Sequence, residues 1–99
     1  MQVAPGDRAG ALKSYRESLA IRERLAQSDR GNAGWQRDLA VSYFNLAVVF
    51  RKQDDKANAV AALAQGRAIM LSLTKLSPEN LGWKSDLAAF DDQIAELTR

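Results

Sequence analysis

The phrase Asn32-Ala33-Gly34-Trp35-Gln36-Arg37-Asp38-Leu39-Ala40 returns as Asn80-Leu81-Gly82-Trp83-Lys84-Ser85-Asp86-Leu87-Ala88. The two tryptophans are 83 − 35 = 48 residues apart. A chain that repeats at a fixed period of ~20–50 residues is built from stacked supersecondary units, none of which buries its apolar face alone. The offset continues without a gap on both sides of the phrase. Asp7 pairs with Asp55, Ala9 with Ala57, Ala11 with Ala59, Ala20-Ile21 with Ala68-Ile69, Leu25 with Leu73, Ala47 with Ala95 and Arg51 with Arg99. Small and apolar positions recur while most polar ones drift, so the repeat preserves packing rather than a reactive site.

Each repeat reads as two helices. The pattern predicts helices over about 7–28, 33–53, 56–76 and 81 to the end. Gly6-Asp7 starts the first, and Asp29-Arg30-Gly31 ends it. Asn32 and Asn80 are the expected N-caps of the second and fourth, because their side chains can accept from an orphan amide of the first turn. Asp54-Asp55 forms the turn before the third, and Ser77-Pro78 stops it, since proline disfavours helix in the residue before it. No stretch shows the alternation of a strand. The expected fold is therefore all-α: four antiparallel helices in a single domain over residues 1–99, with repeat units at about 6–53 and 54–99.

The second and third helices are apolar around most of their circumference, which places them inside. The first carries one stripe, Leu12, Tyr15, Leu19 and Leu25, and the fourth another, Leu87, Phe90, Ile94 and Leu97. These two read as lids over the inner pair, the fourth closing the C-terminal side.

Composition narrows the function classes. Of the 99 residues 46% are hydrophobic and 26% charged, a globular balance, and the net charge is only +2. A nucleic-acid binder is expected to show a clustered basic face. Here Arg16, Arg22, Arg24, Arg30 and Arg37 are interrupted by Glu17, Glu23 and Asp38 and read as a solvated face. Cysteine and histidine are both absent. That removes the usual base, thiol nucleophile and soft metal ligands, and no glycine-rich phosphate loop is present. Asp91, Asp92 and Glu96 could suit a hard cation, but consecutive residues face different directions and no loop supplies oxygens. Catalytic residues, a metal and a cofactor are therefore not expected. No apolar run reaches the ~20 residues of a membrane span, and residues 1–5 lack a signal-peptide core.

The stretch Tyr43-x2-Leu46-Ala47-x2-Phe50, then Asp54-Asp55, then Ala59-x3-Leu63 resembles the tetratricopeptide pattern. The first segment carries the second half of that pattern as Gly6-Asp7-x3-Ala11-x3-Tyr15, and the last a reduced first half as Asp91-x2-Ile94-Ala95. The usual tetratricopeptide period is about 34 residues, so this repeat is 48 − 34 = 14 longer. Fourteen residues are close to four helical turns of about 3.6 residues, which leaves the inward face of each lengthened helix in phase. The chain is similar to the long-helix arrays of bacterial multidomain proteins, whose repeats carry a comparable Asn-x-Gly-Trp-x2-Asp-Leu junction.

That resemblance implies a scaffold or adaptor that binds a protein or peptide partner along a concave face lined by the first helix of each unit, and the absence of cysteine fits a reducing, cytoplasmic compartment. The corresponding positions are Val41, Phe44, Asn45, Val48, Arg51 and Lys52 on the second helix, with Asp92 and Glu96 among those on the fourth. The Lys–Asn pair of the family's carboxylate clamp is replaced by Phe44 and Val48. Two readings of that pair stand side by side: an apolar groove for a partner helix, or core covered by neighbouring helices. The alternative to a scaffold is a spacer or self-association module. The chain opens mid-repeat, which leads us to expect either the C-terminal part of a longer array or pairing of the first helix with another copy. Neither nucleic acid nor membrane is an expected partner. The two tryptophans are expected at the joints between repeats, covering the preceding helix.

Overall fold

The computed structural model describes the backbone of residues 5–99 and the side chains from residue 10 onward. The reading that the first residues lack a signal-peptide core falls, over residues 1–4, outside these. Four α-helices account for the fold: α1 Pro5–Ser28, α2 Ala33–Lys52, α3 Lys56–Leu76 and α4 Leu81–Leu97. No strand occurs among the described residues. α1 starts two residues before the expected Asp7, with proline in the first turn, where its missing N–H costs nothing. α2 stops one residue short of the expected end, and Gln53 becomes its C-cap, donating its backbone N–H to carbonyls of the last turn. α4 stops at Leu97, with Thr98 as its cap.

The repeat is kept to the residue at the joint between units. α1 and α3 end 76 − 28 = 48 residues apart, and α2 and α4 start 81 − 33 = 48 residues apart. The cause is local. Asn32 (φ −79°, ψ 96°) and Asn80 (φ −77°, ψ 100°) share one extended backbone. Each places its Oδ1 3.0 Å from the backbone N of the tryptophan three residues on, which donates to it. Loss of such a cap costs about 1 kcal/mol. A Cβ at Gly34 would lie 3.3 Å from the Asn32 oxygen, and one at Gly82 3.4 Å from that of Asn80. So a Cβ would sit tightly against the capping oxygen at Gly34 and at ordinary contact distance at Gly82. The α2–α3 turn uses a different device: Asp54 takes a left-handed conformation at φ 58°, and Asp55 caps α3 through Asn58. Aspartate is among the few residues that tolerate this region.

Sequential helices pack in the order α1 on α2, α2 on α3 and α3 on α4. Gln36 near the start of α2 reaches the Ala26 carbonyl near the end of α1, and Tyr43 reaches Glu23, so the two helices are antiparallel. The core lies mainly between α2 and α3. Ala40, Leu46, Ala47 and Phe50 cluster with Ala59, Ala62, Leu63, Met70 and Leu73 there. Among the described residues Phe90 is the one buried residue of α4 and Ala26 that of α1. This is the inner-pair and lid arrangement expected from the apolar patterns.

One part of the α1 stripe is placed otherwise. Leu12 and Leu19 pack against the core, but Tyr15 and Leu25 are each 40% exposed. Residues 12, 19 and 26 repeat every seven positions and form the line that meets α2. Positions 15 and 25 fall on an adjoining face that no described helix covers.

Candidate functional site

α2 and α4 run side by side in the same direction. Three contacts in ascending order show it: Arg37 with Asp86, Phe44 with Phe90, and Arg51 with Gln93 and Glu96. Arg37 Nε lies 2.8 Å from Asp86 Oδ2. That hydrogen bond, reinforced by the Asp86 charge, raises the Arg37 pKa further above its ordinary value. The Phe44 and Phe90 rings meet edge to face, with centroids 5.3 Å apart and planes at 83°. This is the favoured aromatic geometry, in which the positive ring edge meets the negative face. Arg51 donates to Gln93 Oε1 and lies 3.8 Å from Glu96.

The residues expected to bind a partner divide into two groups. Phe44 is half-buried against Phe90, and Arg51 and Glu96 are paired with each other. Val41 and Val48 are 37% and 36% exposed, one on each side of Phe44 along α2. Asn45, Lys52 and Asp92 are exposed, and no hydrogen bond or ion pair engages them among the described residues. Val41, Phe44, Ala89 and Phe90 line a shallow recess of about 160 Å³ between the two helices. The Phe44 ring thus combines the two readings of the sequence: it anchors α4 on one side and lines an open recess on the other.

The other polar clusters resolve into pairs and single exposed groups. Arg16 stacks over the Phe50 ring at 5.8 Å, an arrangement in which a cation meets an aromatic face. Asp91 pairs with Arg67 on α3 while Glu96 pairs with Arg51 on α2, so the acidic residues of α4 diverge. Among the described residues no three acidic side chains converge on a common point. No helix there is long and apolar enough to cross a membrane.

Two cavities have no signal in the sequence. The larger, about 630 Å³, is a groove between α1 and α3 floored by α2, lined by Glu23, Gln27, Gln36, Tyr43, Ile69 and Leu76 among others. It exists because α1 and α3 sit apart across α2, a spacing that helical periodicity does not encode. At its floor Tyr43 donates to Glu23 Oε1 at 2.8 Å. Burial and then this carboxylate push the tyrosine pKa up to about 12. The other cavity, about 330 Å³, is lined by Ser18, Ile21, Arg22, Leu25, Trp35 and Asp38. Here Trp35 lies over α1 at the joint where it was expected. Trp83 packs against the main core, which includes residues of α3, the helix before it.

Searches against protein-family models, curated proteins and solved structures found no match for this chain.

Proposed function

We propose that this chain is a protein–protein interaction module of tetratricopeptide-like type. In this reading the α2–α4 face receives an amphipathic helix or apolar peptide. The observation that carries it is the open strip Val41–Phe44–Val48: three large apolar side chains at helical spacing, partly exposed, beside a recess shared with α4. An amphipathic helix laid in such a groove uses apolar anchors at the same spacing. Lys52, Asn45 and Asp92 flank the strip with uncommitted polar groups that would orient the partner. A bacterial setting follows from the same family resemblance and a cytoplasmic one from the absence of cysteine, and both are part of the proposal.

The second reading, a spacer without a ligand of its own, draws on a specific observation. Phe44 and Arg51 are already engaged by α4, and the recess is small. A binding experiment separates the two. A library of amphipathic helical peptides is selected on the purified chain, and the best binders are measured by fluorescence anisotropy against wild type and Val41→Glu/Val48→Glu. Both valines are exposed, so the melting temperature should hold while affinity falls by about tenfold or more, as for loss of interface anchors. Selection of no peptide, or binding indifferent to both substitutions, leaves the spacer reading.

A further inference from the structure

The repeat lets one contact inside the molecule be compared with a surface 48 residues away. α2, together with Phe90 of α4, covers a face of α3 formed by Ala62, Leu63, Gly66, Met70 and Leu73, all buried. Subtracting 48 from each gives Ser14, Tyr15, Ser18, Arg22 and Leu25 on α1, all exposed. α1 and α3 share their end position in the repeat, and α2 and α4 share their start and their cap. The α1 face is therefore the counterpart of a surface that this fold elsewhere covers with a helix of the α2 type. α4 is such a helix. Its Ala88 and Ala95, counterparts of the buried Ala40 and Ala47, are exposed.

We propose that α4 of one copy of this chain docks on the α1–α2 face of a second copy, head to tail, repeating the contact that α2 makes with α3 and α4. This goes beyond the peptide-binding reading and is tested without any peptide.

Charge and exposure at the carried-over positions support a second copy as the occupant. Inside the molecule Met70 and Phe44 line the same recess. Across the proposed interface their counterparts are Arg22 of one copy and Asp92 of the other, so an apolar neighbour pair becomes a pair of opposite charges. Both side chains are exposed in the single chain, and neither makes an ion pair among the described residues. Arg51 meets Gln93 internally, and its counterpart Arg99 would meet Asn45. Tyr15 and Leu25, each 40% exposed, would gain the cover that Leu63 and Leu73 already have. Because the two contacting surfaces differ, the association is heterologous and continues into linear or ring assemblies rather than stopping at a two-fold dimer.

The test is light scattering on the purified chain over a wide concentration range, with wild type, Arg22→Asp, Asp92→Arg and an equimolar mixture of the two variants. Wild type should rise above the 10.9 kDa monomer mass with concentration and less so at high salt. Each variant alone places like charges opposite each other and should need about tenfold higher concentration to associate. The mixture restores opposite charges at every junction and should associate like wild type. Circular dichroism of each variant should match wild type, since both positions are exposed. A wild type that stays monomeric throughout overturns the proposal. So does undiminished association of either single variant, which would indicate an α1-to-α1 or other contact. A mixture no more associated than its components overturns it as well.

Discussion

One added methyl group, at Gly66, probes the packing that brings α4 against α2. A Cβ there would lie 2.5 Å from Phe90 Cζ and 3.1 Å from the Ala40 carbonyl oxygen. Phe90 is only 3% exposed, and its ring edge is engaged with Phe44, so it cannot swing aside without giving up that contact. The Ala40 oxygen belongs to the α2 backbone and yields still less. Overpacking of this kind costs about 1–3 kcal/mol, while alanine gains about 1 kcal/mol over glycine in a helix interior. With obstruction from two sides the cost lies in the upper part of its range, and Gly66→Ala should lose about 1–2 kcal/mol net. For a chain of this size that is a fall of about 5–15 °C in Tm. Urea unfolding followed by far-ultraviolet circular dichroism measures it. Gly10→Ala is the control: its Cβ would meet nothing within 4 Å, so the substitution should stabilise by up to about 1 kcal/mol. Phe90→Leu should relieve part of the clash, giving a coupling energy of about 1 kcal/mol in the double-mutant cycle. A Gly66→Ala protein as stable as wild type, or a cycle additive within about 0.3 kcal/mol, would refute the reasoning.

Two further outcomes test other parts of the structure. Trp83→Ala should cost about 2–3 kcal/mol, below the range for a fully buried tryptophan because Trp83 is half-buried, and Trp35→Ala distinctly less because Trp35 lies outside the main core. Equal losses in denaturant unfolding, or a Trp83→Ala protein of unchanged stability that no longer binds a selected peptide, would contradict the assignment of Trp83 to packing. Tyr43 is held protonated in the folded chain, so the unfolded chain loses its phenolic proton first, and the stability from this group is present below pH ~10 and lost between about 10 and 12. In a Tyr15→Phe background, phenolate absorbance should titrate near 12 and move down on Glu23→Gln. An unchanged midpoint in Glu23→Gln would remove the carboxylate from the explanation and leave burial alone.

Much of the fold was legible because its signals are short-ranged. An asparagine cap, a glycine beside it and a proline after a helix act within about four residues, and the 48-residue repeat states the cap and the glycine twice. That is why the observed helix boundaries fall within two residues of those expected. The α1 stripe was less legible. Periodicity shows that Leu12, Tyr15, Leu19 and Leu25 lean to one side, but not that α2 meets only the line through Leu12 and Leu19. The candidate face was legible as a set of positions and not as a state. Whether Phe44 is core or groove depends on Phe90, a residue of another helix, and whether Arg51 is free depends on Gln93 and Glu96.

The sequence by itself determined that this protein is two copies of a helical pair, where each helix starts and stops, and which two helices lie inside. Backbone capping and apolar periodicity set those features, and both can be read from neighbouring residues. Only the tertiary structure decided how α4 leans on α2, which polar groups are spent in holding it there, and that the α1 face repeating a buried surface is left open. Those outcomes depend on side chains more than forty residues apart meeting at close range, as Arg37 meets Asp86 and Phe44 meets Phe90. No local signal encodes such meetings until the helices have packed.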